Sequence, residues 1–306
     1  MTASTPPFRR LALVGLGLIG GSIARAARRA GLVGRIAGHD ASADVRATVE
    51  ALGFCDEVHE VAAGAVHGAD LVILCTPVGA FGDVARSIAP ALAPGAILSD
   101  VGSTKGSVVA AVAPHVPPGV HFIPAHPVAG TEHSGPAAGF AGLFEGRWCL
   151  LTPPDGADPA QVERLAAFWR ALGCQVDVMD VTRHDRVLAV TSHLPHLIAY
   201  TIVGTAADLE TVTRAEAIRY SAGGFRDMTR IAASDPVMWR DVFLNNREAV
   251  LEVLGRFSEE LLLLQRAVRW GDGETLERVF SRGREIRRGV IEAGQDTAGL
   301  RGPAPQ

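Results

Sequence analysis

Between Arg10 and Val178, short apolar runs alternate with longer amphipathic ones, and past residue 180 the alternation stops. "RRLALVGLG" reads as a strand running into glycines, and "IGGSIARAARRAG" follows with helical spacing. "RIAGHD", "ADLVILCTP" and "GAILSDVGS" are further β-type runs, each short and bounded by Gly, Pro or Asp. "VHFIPAHPVAG", "RWCLLTP" and "CQVDVMD" continue the series, with "DPAQVERLAAFWRALG" as a crossover helix. Such alternation predicts a doubly wound parallel sheet with helices on both faces.

After residue 180 long helical runs replace the strands. Thr182 is placed to cap a helix through "RHDRVLAVTSHLPHLIAYTIVGTAAD", and Asp235-Pro236 reads as an N-cap with proline in the first turn. Beyond it, apolar residues at 250, 253, 254, 257, 261, 264 and 268 form a helical stripe longer than one small domain needs. A dimer interface is the simplest use for that stripe. The expected fold class is therefore α/β, a Rossmann-like domain over residues 9–180 followed by an all-α dimerisation domain over 181–294. Residues 1–8 read as a flexible lead and 295–306 as a disordered tail.

Composition narrows the function classes. With 48% hydrophobic and 20% charged residues among 306, the chain has the profile of a soluble globular protein. A net charge of −4 and the lack of a basic run give no reason to expect a nucleic-acid partner. No apolar run is expected to reach the roughly 18 residues of a membrane span, and the short polar start does not read as a secretory signal. Cys55, Cys75, Cys149 and Cys174 form no CxxC pair, so free thiols in the cytoplasm are expected. There are 28 arginines and a single lysine, Lys105. Codon bias accounts for the ratio, but any lysine-dependent chemistry has one candidate.

The most informative short stretch is "LVGLGLIGGS". Gly15-x-Gly17-x-x-Gly20 follows a strand and opens a helix, the context in which glycines admit a tight turn and a pyrophosphate on the helix N-terminus. Gly15, Leu16, Gly17, Leu18, Ile19 and Gly20 are thus the expected dinucleotide loop. Asp40 stands twenty residues later at the next strand end, where a carboxylate accepts from ribose hydroxyls and repels a 2′-phosphate. Ala41 and Ser42 supply no guanidinium, which favours NAD over NADP. Thr76 and Pro77 end the third core strand and should border the cofactor.

Two later segments carry chemistry. "SDVGSTKG" should project Ser103 and Lys105 toward the nicotinamide end, and "HFIPAHPVAGTEHSG" places His126 at a strand end. Together with "GLGLIGGS", "SHLPH" and "GGFRDMTRIAASDPVMWRDVF", these strings resemble the prephenate/arogenate dehydrogenase family from about residue 9 to residue 290. The resemblance implies NAD-dependent oxidative decarboxylation of a small cyclohexadienyl substrate in tyrosine biosynthesis, by a homodimer built through its helical domain. It also assigns roles. His126 matches the general base, and Ser103 matches a serine bonding both substrate hydroxyl and nicotinamide. Arg230 matches the arginine holding a substrate carboxylate, which Arg226 one turn earlier could share. Glu132 falls near the substrate side chain, where it could pair with the amine of arogenate.

"SHLPH" interrupts an otherwise apolar helix. Pro195 cannot donate to the Thr191 carbonyl and crowds it, so the helix should open there. Zinc would need a third ligand that no HExxH or CxxC motif supplies, so no metal is expected. Ser192 and His196 are four apart and share a face. By resemblance both meet the substrate, His196 donating a bond, while His193 is as suited to a buried structural bond as to a ligand. Two rivals remain: a β-hydroxyacid-type dehydrogenase, which needs a lysine on its helical domain where this chain has none, and a nucleotide-sensing protein without chemistry, which has no reason to keep Ser103, His126, Ser192, His196 and Arg230.

Overall fold

A computed structural model describes residues 6–131, 133–208 and 223–292. Glu132 and the 295–306 tail lie outside them. The chain packs as two compact units, 1–250 and 251–306.

The first unit is built on six parallel strands in the order β3-β2-β1-β4-β5-β6. These are β1 (Phe8–Val14), β2 (Val33–His39), β3 (Glu57–His59), β4 (Leu71–Leu74), β5 (Ile97–Asp100) and β6 (His121–Phe122). The order reverses between β1 and β4, which opens the crevice where such sheets bind ligands. Central strands β4 and β5 are buried along their whole length, as a sheet covered on both faces requires. One face packs helix α1 (Leu18–Arg29), the other helices α4 (Phe81–Ile88) and α5 (Gly106–Val112). The expected lead is shorter than 1–8: Phe8 is 1% exposed, pairs with Val33 and meets Phe168 edge to face, because its ring fills the core.

Beyond β6 the predicted strands do not continue this sheet. "VHFIPAHPV" splits at Pro124, which has no N–H to extend the ladder that ends with Ile123 donating to Leu98. The chain then crosses into a separate sheet of β7 (Ala125–Pro127), β8 (Trp148–Leu151) and β9 (Gln175–Val178). In it β7 runs antiparallel to β8, and β8 parallel to β9. His126 therefore sits in the middle of a short strand opposite Leu150, not at the end of a parallel one.

The helices after β9 begin two residues earlier than expected, because Asp180, not Thr182, caps the first and accepts from Arg183 N at 2.8 Å. Helix α7 (Val181–Leu188) passes through a π-type turn at Ala189–His193 into α8 (Leu194–Asp208). The turn that opens is the one Pro195 was expected to open. By length and composition Val181–Ala206 is long and apolar enough to cross a membrane, an 18-residue stretch of it reaching a mean hydropathy of 1.4. The expectation of no such stretch counted unbroken apolar runs, which Thr, Ser and His interrupt here. The helix is joined to β7 through His184 and to the loop after β5 through Asp185, as described below. Asp235 caps the helix Pro236–Asn245 as predicted, accepting from Met238 N at 2.8 Å.

In the second unit, the continuation of the helix Arg247–Trp270 and the helix Gly273–Glu292 carry Leu261, Leu262, Val268, Trp270, Phe280 and Ile286 on exposed positions.

Candidate active site

The glycine loop has the shape the motif demands. Gly15 has φ of +100°, and a Cβ there would sit 2.5 Å from the Cys75 carbonyl carbon; a Cβ on Gly20 would overlap the Gly15 carbonyl. At Gly17 the added Cβ would meet nothing within 4 Å. The backbone at that point is open to an incoming group. Gly17 also caps α1 without a side-chain bond, and the first turn holds no acid, so its N–H groups are available to an anion. Leu16 contributes only backbone, since its side chain is in the core, and Leu18 and Ile19 pack partly against that core.

Asp40 follows β2 directly. Its Oδ2 accepts from Leu16 N at 2.9 Å and its Oδ1 from Ser42 N at 3.0 Å, which ties it to the glycine loop. The guanidinium that residues 41 and 42 lack arrives from Arg46, whose Nη1 donates to the carbonyls of Asp40 and Ala41 at 2.8 and 3.1 Å. Across the crevice, Thr76 Oγ1 is buried with no hydrogen-bond partner among the described residues, and Pro77 is exposed beside it. An orphaned hydroxyl, an uncapped helix end and a strand-end carboxylate around one turn fit a dinucleotide.

His126 is 6% exposed, and its Nδ1 lies 2.9 Å from His184 Nε2. His184 Nδ1 in turn lies 2.9 Å from Asp185 Oδ1. Asp185 is an acceptor, so this chain of contacts assigns the protons. His184 Nδ1–H donates to the carboxylate, leaving Nε2 to accept from His126 Nδ1–H. The lone pair of neutral His126 then falls on Nε2, which is left able to accept a proton. Asp185 also accepts the backbone N–H groups of Lys105 and Gly106 at 2.7 and 2.8 Å. Burial pushes its carboxyl up, but the bonds from His184, Lys105 and Gly106 outweigh that and hold it below the usual range. Burial, reinforced by His184, Lys105 and His193, holds His126 well below the ordinary imidazole value. At neutral pH it is an unprotonated base.

Ser103 is half-buried in the loop after β5. Lys105 does not project toward the crevice as expected: it is fully buried and turned back to Asp100 and the Ala125 carbonyl. The carboxylate that holds this cation is Asp100, itself fully buried.

The π turn sorts the residues of "SHLPH". Ser192 is half-buried, and its carbonyl accepts from His196 Nδ1–H at 2.8 Å. Neutral His196 therefore offers Nε2 as an acceptor, where a donor was expected, and burial keeps its protonation below the ordinary range. Its ring stacks on Trp239, centroids 3.6 Å apart. Arg230 opens the short helical segment Arg230–Ala233, and its charge reaches His196 and disfavours protonation there. Tyr200 donates to the Ser234 carbonyl at 2.7 Å and so ties that segment to α8. His193 is fully buried, its Nδ1 accepting from Asn246 Nδ2 at 3.1 Å while the same amide donates to the Asp185 carbonyl at 2.8 Å. The structural use of His193 is thereby identified, although its Nε2 is buried without a partner among the described residues. Among the described residues no group of three His, Cys, Asp or Glu is placed to hold a metal.

His184, Asp185, Trp239 and Asn246 were not anticipated. The available signal was a polar residue on an apolar face: His184 lies one turn before Leu188, and both are buried.

Comparison with known proteins is consistent across the chain. The family model for the prephenate dehydrogenase nucleotide-binding domain matches residues 23–178, and the model for the prephenate dehydrogenase dimerization domain matches residues 180–282. A cyclohexadienyl dehydrogenase of Zymomonas mobilis is 43% identical over 281 residues, covering 92% of this chain and 95% of that protein. The crystal structure of the A. aeolicus prephenate dehydrogenase with hydroxyphenyl propionate and NAD+ superposes with a TM-score of 0.83 at 33% identity, covering 95% of this chain and all of that one. The Synechocystis arogenate dehydrogenase gives 0.77 at 26% identity, covering 92% and 99%.

Proposed function

The chain belongs to the prephenate dehydrogenase family, and from that membership and the site's geometry we propose that it oxidatively decarboxylates prephenate, arogenate or both with NAD, in the cytoplasm, on the route to tyrosine. The observation that carries the reading is the His126–His184–Asp185 chain, which leaves an unprotonated nitrogen on a buried imidazole. The β-hydroxyacid and sensor readings have no use for it.

NAD, when bound, supplies the hydride acceptor. The loop Gly15–Gly20 would hold its pyrophosphate, Asp40 its ribose, and Thr76 and Pro77 would border it. His126 takes the proton of the C4 hydroxyl as the C4 hydride departs. The resulting dienone expels CO2 from C1; the C–C electron pair enters the ring, and the phenolate recovers the proton from His126. Ser103 aligns the C4 hydroxyl. Arg230 orients a substrate carboxylate, with Ser192 and His196 against the substrate beside it. Glu132 is proposed to pair with the amine of arogenate; a Glu132→Gln variant that keeps its arogenate preference would remove that role. Residues 9–180 would carry the cofactor and 181–294 the substrate contacts and the dimer.

The test is an initial-rate assay crossing both substrates with NAD and NADP, on the native chain and on His126→Asn. The native chain should form NADH and release CO2 with at least one substrate, while His126→Asn should bind NAD normally and not turn over. Binding of NAD without turnover of either substrate would return the chain to the sensor reading.

For the dimer, the supporting feature is the apolar surface of the second unit, where burial of each large side chain is worth about 1.5–3 kcal/mol. Leu262 is 63% exposed and Trp270 is 78% exposed. A second copy of this chain is the proposed cover. Sedimentation should show a dimer that Leu262→Arg dissociates, and a monomeric native chain would exclude it.

A further inference from the structure

The chain's one lysine stands where a cation is hardest to keep. Lys105 and Asp100 are both 0% exposed and ion-paired. The ammonium also donates to the Ala125 carbonyl at 2.7 Å. Asp100 accepts the Ala125 N–H on its other oxygen at 3.2 Å, and Gly102 N–H at 2.7 Å. Both polar groups of Ala125 are thus gripped by the pair, and that carbonyl belongs to the peptide joining Ala125 to His126.

A buried ion pair is an inefficient way to stabilise a fold, since well-packed apolar groups do as well or better. Arginine serves every other basic position, so the exception asks for something only an ammonium does. Its compact head fits between a carboxylate and a carbonyl, where a planar five-donor fork demands more acceptors than are present. The same residue also reaches the other side of His126. Its backbone N–H donates to Asp185, which orients His184, which orients the His126 ring.

We propose that the buried Asp100–Lys105 pair is a positioning device for His126, fixing the peptide that carries the imidazole while the His184–Asp185 chain fixes its ring. The proposal rests on His126 being the base. It assigns the sole lysine a role in orientation, with no contact to substrate or cofactor.

Lys105→Met alone leaves Asp100 buried without its partner and should lower Tm. Lys105→Met with Asp100→Asn removes both charges at nearly constant volume, and Tm should recover to within a few degrees of native. If the pair only knits the two sheets, kcat recovers with Tm. If it positions His126, kcat stays down about 10²-fold, the scale of a 1 Å misplacement, with KM for NAD and for substrate unchanged. The acid limb of kcat/KM should also move to higher pH. Of the groups depressing the imidazole, Lys105 is lost while His184 and His193 remain, with Asp185 still bonded to His184. A double variant with native Tm and native kcat overturns the proposal.

A measurement on the native free protein depends on neither variant nor turnover. Selective 15N-lysine labelling gives a single side-chain resonance, and the clamp requires an ammonium whose protons exchange slowly with water. Fast exchange, as at a surface lysine, overturns it. A native chain with a slowly exchanging ammonium but no turnover of either substrate would instead overturn the base assignment, and this proposal with it.

Discussion

Asp185→Asn is the sharpest test of how the base is set. Three N–H groups converge on this carboxylate: His184 Nδ1 and Lys105 N on Oδ1 at 2.9 and 2.7 Å, and Gly106 N on Oδ2 at 2.8 Å. An amide offers one oxygen and brings two hydrogens of its own. With its oxygen toward His184, its NH2 opposes the Gly106 N–H. Turned about, its NH2 opposes Lys105 N–H and forces His184 into the other tautomer, so that Nε2–H donates to His126 Nδ1 and His126 Nε2 becomes protonated. Loss of a charge-assisted bond is worth about 1.5–3 kcal/mol, which is a factor of about ten to a few hundred in the tautomer ratio. We expect kcat to fall about 10²-fold, and toward 10⁴-fold if the tautomer inverts completely, as in serine-protease triads. The unsatisfied N–H should cost about 1–3 kcal/mol of stability. Steady-state NADH formation at saturating NAD gives kcat, and a binding titration without substrate should show unchanged NAD affinity because the glycine loop is untouched. A folded Asp185→Asn protein with native kcat would show that the carboxylate does not set the tautomer.

Other consequences follow from the same groups. His126 is held well below the usual imidazole range, so kcat/KM should stay level as pH falls through about 6.5 and drop only under more acid conditions; a half-fall at the ordinary value would mean the base is not buried as described. His193 is held near 4, chiefly by burial. Between that value and about 6.5 the unfolded chain binds a proton that the folded chain refuses, so stability present at neutral pH is lost as pH falls through this window, by about 3 kcal/mol from this group. Urea titrations at the two ends should record the loss, and His193→Asn should reduce it. Asp40→Asn removes the charge that repels a 2′-phosphate and leaves Arg46 beside the ribose edge, so NADP use relative to NAD should rise; an unchanged ratio would locate the selectivity elsewhere.

The parts of the fold legible in the sequence are those set by local rules. Strand and helix periods, the glycine turn and Asp40 each depend on residues within about one strand–helix unit. Even the opening of the "SHLPH" helix is local, because Pro195 denies a bond to the turn before it. The departure of β7 from the main sheet was less visible, since Pro124 signals that a ladder ends and not where the chain goes next. The least legible features depend on contacts across great sequence distance. His126 and His184 are 58 residues apart, and Lys105 and Asp185 are 80 apart. Nothing near "TRHDR" says that its histidine turns inward; on a helical wheel it could equally be a solvated face. Trp239 lies within "GGFRDMTRIAASDPVMWRDVF" without a legible task, because a tryptophan beside two histidines is a feature of the packed chain only.

This arrangement bears on what a domain boundary means here. The expected division at residue 180 follows the last strand among the described residues, Gln175–Val178, whereas the compact units divide after Val250. The chemistry does not respect the expected division. The base comes from β7, its tautomer from His184 and Asp185 on α7, and the Lys105 and Gly106 N–H groups that hold Asp185 come from the loop after β5. Asn246 extends the connection by bonding both Asp185 and His193. A movement of α7 away from the sheet would break the bonds to Lys105, Gly106 and His126 together, and His126 would lose the acceptor that keeps its proton on Nδ1. If His126 is the base, as proposed, it should be competent only while the first helical segment is seated on the strand edge. Helix placement would then act on the rate through the protonation geometry of one imidazole, with no need for α7 to touch the substrate.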